Sequence, residues 1–388
     1  MQSPRSQYRN SSAIVGMAQS DYGALYRFSE PVSPGELARQ TFVSALSDAG
    51  IARTAVDGLI VVGSESYSYL TLAQECGLGD LTFLAAYPRS GRMCSVALGH
   101  AAMALQAGLA SCIALVYSTN QRSAGVGYGS DYDNGNGSMY DTTYGLISPG
   151  ARYALAYTRY MDLYGYHGRE DLLSEIPITL RRHATVNPRA VMKTELSRDK
   201  YLSSRYIARP LRIFDFCLVN DGSVCLVMTT EERARDARNP AVQVAAWAEQ
   251  SAIDELLVPP DYWAKACRDM ASRSLDPVGL GPDDISTLLV YDNFSPSVLW
   301  ALEGFGFCEP GTALTWIQGG RIALGGALPV NTSGGMLSEA FMQGWNLIAE
   351  GVSQLRGQAG ARQIRDCSVA LYCCLAYVAS TVVLRKVD

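Results

Sequence analysis

Histidine is scarce in this sequence, and the spacings that mark common metal sites are missing. Only three histidines occur in 388 residues, and the ten cysteines include no Cys-x-x-Cys pair. Zinc sites and c-type haem attachment depend on such spacings, so the sequence predicts no metal site of these kinds. The chain is not short and shows no secretory signal, which argues against a disulfide framework.

Long runs of positive charge and long apolar runs are also missing. The formal net charge is −5 without a basic run, which argues against nucleic acid as the main partner. The longest apolar runs, such as 110–116 and 378–384, are too short to span a bilayer. The polar residues 1–10 lack the apolar segment of a signal peptide, so we expect a cytoplasmic protein.

Apolar residues, by contrast, are abundant. They make up 48% of the chain and charged residues 18%, which is enough for a large core. Most cysteines stand inside apolar runs and are expected to be small buried side chains.

The sequence repeats one order of elements in its two halves. In the first half, helically spaced apolar residues from 37 to 46 end at Gly50, and a buried strand follows at 56–63. In the second half, a helix ends at 270–275 and a strand follows at 285–291.

A second series of segments extends this parallel. Each half continues with a Gly/Ser-rich stretch, an apolar helix closed by glycine, and a strand. These segments are 90–92, 95–106, Gly108 and 110–116 in the first half, and 331–335, 337–355, Gly357 and 369–371 in the second. The repeat predicts an α/β domain of two pseudo-repeated halves, 1–240 and 241–388, whose central helices lie between sheets.

A long insertion at about 119–215 does not fit the repeat. Its segment 123–137 is rich in Gly, Ser, Asn and Tyr, which predicts a loop. Inserts of this length are usually functional, for example as a lid or a substrate wall.

An ordered series of motifs runs over nearly the whole chain. The motifs are SAIVGM at 12–17, DAGI at 48–51, VDGL at 56–59, HATVNPRA at 183–190, RPL at 209–211, DGS at 221–223, YDNF at 291–294, GFC at 306–308 and NTSGGMLSE at 331–339. In this order the sequence resembles the thiolase superfamily, and within it the sterol carrier protein thiolases and steroid side-chain aldolases. The resemblance implies a thiolase-like fold, a layered α-β-α-β-α sandwich.

The resemblance also implies where a thiolase nucleophile would lie. That cysteine starts the first central helix, about seventeen residues before the closing glycine, and counting back from Gly108 reaches Gly91. Cys94 stands three residues later. Cys94 is therefore either a displaced nucleophile or, as we favour, a packed helix residue.

Two further catalytic positions fall on aromatic residues. Tyr291 aligns with the Asn of the thiolase Asn-Glu-x-Phe motif, and the aldolase branch carries an acid–base tyrosine there. Phe341 falls on the thiolase histidine, where the aldolase branch has a second tyrosine. Phenylalanine cannot transfer a proton, so Phe341 is expected to pack against substrate, unless it is an engineered Tyr→Phe substitution.

The last thiolase position, a cysteine in a Cys-x-Gly-Gly turn, has no clear equivalent. Cys373 and Cys374 are followed by Leu375-Ala376 rather than a glycine pair. Tyr291 is accordingly the predicted catalytic residue. The predicted substrate-binding residues are Phe341, Asp292, Ser333, Gly334, Gly335, Cys94 and His183, the last of which could equally serve a structural hydrogen bond.

These positions favour a retro-aldolase that cleaves a bulky β-hydroxyacyl-CoA into a short acyl-CoA and a ketone or aldehyde. A steroid side chain is one candidate for the cleaved group. A coenzyme A thioester is the expected substrate, without a covalently bound cofactor. The resemblance implies a homodimer with an OB-fold, zinc-ribbon partner in a heterotetramer. Two alternatives remain: an acyltransferase that uses Cys94, and a catalytically silent thiolase-like subunit.

Overall fold

Eleven strands are present in the part of the chain that the structure describes. The computed structural model describes residues 12–28, 30–63, 67–126, 143, 146, 148–251, 262–375 and 378–387. The predicted loop at 123–137 lies mostly outside these ranges. The strands are β1 Ser12–Gln19, β2 Gly58–Val62, β3 Phe83–Tyr87, β4 Cys112–Thr119, β5 Tyr206–Ala208, β6 Leu211–Arg212, β7 Gly222–Thr230, β8 Val242–Ser251, β9 Thr287–Val290, β10 Val369–Cys374 and β11 Val378–Lys386.

The helices differ widely in length. They are α1 Tyr22–Leu25, α2 Pro34–Ala49, α3 Tyr69–Glu75, α4 Met93–Gln106, α5 Pro149–Leu163, α6 Glu175–Thr185, α7 Arg198–Leu202, α8 Glu231–Ala234, α9 Tyr262–Ser274, α10 Pro296–Gly304, α11 Ala313–Trp316, α12 Gly335–Ser338 and α13 Trp345–Leu355. None of the described helices has the length and apolarity needed to cross a membrane.

Nine strands form one mixed sheet in the order β3-β2-β4-β7-β1-β8-β11-β10-β9. From β2 to β1, one parallel pairing is followed by two antiparallel pairings. The same sequence of pairings runs from β9 through β10 and β11 to β8. Only two residue pairs, Ala13 with Gln243 and Ile14 with Val242, join the two series at β1 and β8. The strands therefore show the twofold repeat expected from the sequence.

The two central helices lie between the two series of strands. Helix α4 packs against β2, β4 and β7 on one side and against β8 and β11 on the other. Helix α13 packs against β9 and β10 and also against β1 and β7. Helix α2 covers the outer face of β1, β4 and β7, and α9 covers β8 and β11. The layers follow the predicted α-β-α-β-α order.

Alternation along the strands explains this layering. In β2, Ile60 and Val62 belong to the central core cluster, whereas Leu59 and Val61 belong to the outer one. Glycines follow the ends of the outer helix α2 and the central helix α4 as expected: Gly50 has a φ of 69° and Gly108 has the same φ.

The second central helix differs from its prediction. The sequence predicts one helix over 337–355, but the chain leaves the helical conformation after α12 and resumes it at α13. Gln343 and Gly344 have φ angles of 51° and 86°, which no right-handed helix accommodates. This irregular stretch carries Phe341 to the end of β9.

Candidate active site

Tyr291 directly follows β9 and turns its phenol into the central layer. Its backbone N–H donates to the carbonyl of Cys373 at 2.8 Å, which continues the pairing of β9 with β10. The side chain is 4% exposed, and its hydroxyl donates to Oε1 of Gln343 at 2.8 Å. The strand end and the irregular stretch after α12 thus fix the phenol from two sides.

Gly91 leaves the space that this phenol fills. A Cβ atom at residue 91 would lie 2.1 Å from Cζ and 2.6 Å from the hydroxyl oxygen of Tyr291. Real Cβ atoms essentially never come closer than 3.0 Å to such a neighbour. The position reached by counting back from Gly108 therefore has no room for a cysteine while Tyr291 occupies its present place.

Cys94 is fully buried in the first turn of α4. Its thiol donates to the carbonyl of Gly91 at 3.5 Å. Burial raises the pKa of the Cys94 thiol to about 12. A nucleophilic thiolate needs the opposite environment, a positive charge or an adjacent base. The surroundings of Cys94 are those of a packed side chain.

Phe341 lies beside Tyr291. The two rings meet edge to face, with centroids 6.3 Å apart and an interplanar angle of 62°. The backbone N–H of Phe341 donates to Oδ1 of Asn220 at 2.6 Å, and the ring is 1% exposed. The two aromatic positions identified from the sequence are thus brought together, and only one of them carries a hydroxyl.

Asp292 holds the loop that leads to Phe341. Its carboxylate oxygens accept from the backbone N–H groups of Met336 at 2.8 Å and Leu337 at 3.3 Å. Burial raises the pKa of Asp292 to about 7, although these hydrogen bonds oppose the rise. A Cβ atom at Gly335, whose φ is 61°, would lie 2.2 Å from Oδ2 of Asp292. The carboxylate needs this glycine in order to reach the two amides.

Ser333 and Gly334 pack this loop against α6. The carbonyl of Ser333 accepts from Nδ2 of Asn187 at 2.9 Å. Gly334 has a φ of 108°, and a Cβ atom there would lie 2.6 Å from that of Ala184. The backbone of both residues therefore serves the packing of the site.

His183 in α6 is fully engaged in hydrogen bonds. Its Nε2 accepts from the backbone N–H of Leu324 at 2.9 Å, so Nδ1 carries the proton and donates to the carbonyl of Asn331 at 3.2 Å. Burial lowers the pKa of His183 to about 4. The ring is a neutral link between α6 and two loops, and neither nitrogen is directed at Tyr291.

Two residues outside the predicted site set also contact this site. Gln343 accepts the hydrogen bond of Tyr291, and the Tyr372 hydroxyl donates to the carbonyl of Gly91 at 3.1 Å. Gln343-Gly344 inside an expected helix was the available signal for the first, because glycine often marks an irregular backbone. Tyr372 could be named from the sequence as a further tyrosine, but its place beside Gly91 could not.

The C-terminal cysteines belong to the core of β10. Cys373 and Cys374 are buried, and burial raises the pKa of both thiols. Within the part of the chain that the structure describes, no group of three or more His, Cys, Asp and Glu side chains could hold a metal ion.

Comparison with known proteins identifies the family. The 17-hydroxy-3-oxo-4-pregnene-20-carboxyl-CoA lyase of Mycobacterium tuberculosis is 34% identical over 360 residues, covering 89% of this chain and 92% of the relative. The chain belongs to the steroid side-chain aldolase branch of the thiolase superfamily. A steroid side-chain-cleaving aldolase of Thermomonospora curvata is 32% identical and covers 89% of the chain and 90% of the relative.

Two further comparisons agree with this aldolase-branch assignment. The family described as thiolase C-terminal domain-like matches residues 248–385. The solved Ltp2-ChsH2(DUF35) aldolase superimposes with a TM-score of 0.87 at 29% identity, covering 98% of each chain. The expected thiolase-like fold and a carbon–carbon lyase of this branch are confirmed. The roles given to single residues stay predictions.

Proposed function

We propose that the protein is a retro-aldolase in which Tyr291 is the acid–base residue. The observation that carries the proposal is the buried Tyr291 phenol in the space that Gly91 leaves at the start of α4. A hydroxyl that can give and take a proton stands where a nucleophile would otherwise lie. The remaining site residues, Phe341, Asp292 and the loop at 333–335, would shape the pocket.

The proposed reaction needs no covalent intermediate. The β-hydroxyl of the substrate loses its proton, the bond between the α- and β-carbons breaks, and the β-carbon becomes a carbonyl. The electron pair stays on the α-carbon as the enolate of the departing acyl-CoA, which then takes a proton. The net transfer is one proton from oxygen to carbon, so a single phenol that alternates between two protonation states could serve both steps.

Cys94 gives little support to the alternative of acyl transfer. Its thiol is fully buried, its pKa is raised to about 12, and its hydrogen bond goes to a backbone carbonyl. Incubation with acyl-CoA is therefore expected to leave the mass of the intact protein unchanged. A stable acyl adduct on Cys94 would favour the acyltransferase instead.

A bulky coenzyme A thioester is the substrate class that we propose. The name of one relative specifies a pregnene-carboxyl-CoA and the name of the other a steroid side chain. These names support a CoA thioester with a large acyl group. The acyl group itself is to be determined with a panel of substrates.

Product analysis by mass spectrometry tests the reaction. We expect a panel of β-hydroxyacyl-CoA thioesters to yield a shorter acyl-CoA and a ketone or aldehyde. The Tyr291→Phe variant should turn over about 10²–10⁴ times more slowly, the contribution of one acid–base group. Equal turnover by the variant and the parent protein would refute the role of Tyr291.

The catalytically silent subunit is the second candidate, because Phe341 supplies no second hydroxyl beside Tyr291. For a silent subunit, no member of the panel is cleaved by the parent protein, and Tyr291→Phe changes nothing measurable. For a working aldolase, Phe341→Tyr is expected to raise turnover by adding a second phenol to the same pocket.

We further propose a homodimer joined through β3. This strand ends the sheet, and beyond it the described residues supply no further strand. Leu84 on β3 is 41% exposed, and an apolar strand edge favours pairing with another chain. Leu84→Lys is expected to give a monomer in light scattering, whereas Val43→Lys on α2, at a similarly exposed residue, should leave the mass unchanged.

A separate OB-fold, zinc-ribbon protein is the proposed second partner. The name of the Ltp2-ChsH2(DUF35) aldolase describes a solved complex of two components, which supports a partner for this chain also. Activity measured with and without such a protein tests the requirement. We also propose a cytoplasmic location. The boundary between the two halves is proposed at 240/241, which the start of β8 at Val242 supports.

A further inference from the structure

Gln343 supplies the hydrogen-bond partner of Tyr291 from an unfavourable backbone position. Its φ of 51° lies in the left-handed region, where glycine would fit without strain. The side chain is 7% exposed, and its Oε1 lies 2.8 Å from the Tyr291 hydroxyl. Strained residues of this kind persist where the surrounding structure holds them, often at functional sites.

The neighbouring residues explain how the strain is held. A Cβ atom at Gly344, whose φ is 86°, would lie 2.1 Å from the Tyr372 hydroxyl. The backbone at 343–344 therefore lies close against β10, with Gln343 at its turn. From this turn the amide reaches Tyr291, 52 residues earlier in the chain.

An amide differs from other partners in what it offers a phenol. Its oxygen accepts from a protonated phenol, and its nitrogen can donate to a phenolate after rotation of the amide group. A carboxylate can only accept from the phenol and repels a phenolate, and an ammonium group has no acceptor for the phenol proton. A residue that passes one proton back and forth needs a partner that suits both states.

We infer that Gln343 is the positioning residue of Tyr291. Its amide oxygen holds the protonated phenol, and its amide nitrogen holds the phenolate. This inference rests on the proposed aldolase function. Cys94, whose thiol bonds to the carbonyl of Gly91, and Tyr372 on β10 are two of the titratable groups that lie near the pair. Burial raises the pKa of both, so neither is expected to take over the role of the amide.

Three variants test the inference in the full-length protein. Gln343→Glu keeps the shape and the acceptor but cannot donate to a phenolate. Gln343→Met keeps the length and removes the hydrogen bond. Gln343→Gly removes the backbone strain together with the side chain. Each is expected to lower kcat about 10- to 100-fold, the range of one hydrogen bond to a charged group, with a smaller change in KM.

The glycine variant separates positioning from structural support. In Gln343→Gly the relief of backbone strain offsets part of the stability lost with the buried side chain and its hydrogen bond, so we expect a modest fall in melting temperature together with the full loss of kcat. A residue that only supported the fold would lower the melting temperature and leave the kcat of the folded protein nearly unchanged. Unchanged kcat in Gln343→Gly or Gln343→Met would overturn the inference.

A spectroscopic titration keeps the test independent of turnover. The ultraviolet difference between the parent protein and Tyr291→Phe reports ionisation of this phenol alone. Gln343→Glu should shift that ionisation to higher pH, because a carboxylate opposes a phenolate, and the same shift should vanish in the Tyr291→Phe background. If no substrate is cleaved but the shift appears, the proposed function fails and the contact stands. An absent shift refutes the positioning role whether or not the enzyme is active.

Discussion

At the scale of the residue, the candidate site depends on the glycine at position 91. Gly91 gives the Tyr291 phenol its place, since any Cβ atom at 91 would overlap the ring. The sequence could name both positions through the family resemblance. It could not show that they compete for one volume, because they are far apart in the chain and meet only where the residues before α4 approach the end of β9.

Gly91→Ala is expected to displace Tyr291 and to reduce cleavage at least about 100-fold, as for loss of an acid–base group. Overpacking should also lower the free energy of unfolding by about 1–3 kcal/mol. Gly79→Ala is a suitable control, since nothing lies within 4 Å of a Cβ atom there. Steady-state kinetics and urea unfolding measure the two effects. An unchanged kcat in Gly91→Ala would contradict the assignment.

His183 makes a pH-dependent contribution that can be measured separately. Its pKa is lowered from 6.5 to about 4 by burial, so between these values the unfolded chain binds a proton that the native one does not. The stabilising effect of its neutral form is present above pH 6.5 and is lost as pH falls toward 4. The loss amounts to about 3 kcal/mol at 1.36 kcal/mol per pKa unit.

His183→Gln should remove this dependence, because glutamine can also accept from Leu324 and donate to Asn331 without titrating. Asp292 and Glu339, whose pKa values burial raises to about 7, contribute in the opposite sense. Their effect is common to both proteins and cancels in the difference. Urea unfolding at a series of pH values checks the expectation, and parallel curves for the two proteins would contradict it.

At the scale of the element, the sequence predicted the regular parts better than the irregular ones. Buried strands such as β2 and β9 follow from short apolar runs with turn residues, and α2 from spacing and its closing Gly50. The stretch between α12 and α13 did not follow, because apolar residues continue through it without a change of period. Its path depends on positive φ angles at Gln343 and Gly344, which apolar spacing does not reveal.

Gly344→Ala is expected to destabilise the protein by about 2–5 kcal/mol. The left-handed backbone accounts for about 1–2 kcal/mol, and the close approach to Tyr372 adds about 1–3 kcal/mol. Gly357→Ala shares the first cost only, since its φ is 71° and no atom lies within 4 Å of a Cβ there. Equal losses in urea unfolding would show that the approach to Tyr372 is unimportant.

At the scale of the whole molecule, one arginine joins the two halves. Arg356, after α13, donates to Oδ2 of Asp48 at 2.7 Å, to the carbonyl of Val15 at 2.8 Å and to the carbonyl of Pro240 at 2.9 Å. Its side chain has no exposed surface. Such a link, together with the shared central helices, favours unfolding of both halves in one transition.

Arg356→Ala should lower the free energy of unfolding by about 3–5 kcal/mol, because it removes a buried side chain, the charged partner of Asp48 and the side-chain donor to two carbonyls. Lys265→Ala breaks an ion pair with Asp269 whose side chains are 57% and 31% exposed, and should change stability by at most about 1 kcal/mol. Calorimetry would compare the two. Similar losses would mean that the buried arginine contributes no more than a surface contact.

The overlap between residues 91 and 291 also constrains the order of past substitutions. A cysteine at 91 and the Tyr291 ring in its present place exclude each other, since a Cβ atom at 91 would lie 2.1 Å from Cζ of the ring. A substitution route that began with a cysteine at 91 would therefore have to lose that cysteine before the phenol could occupy this place.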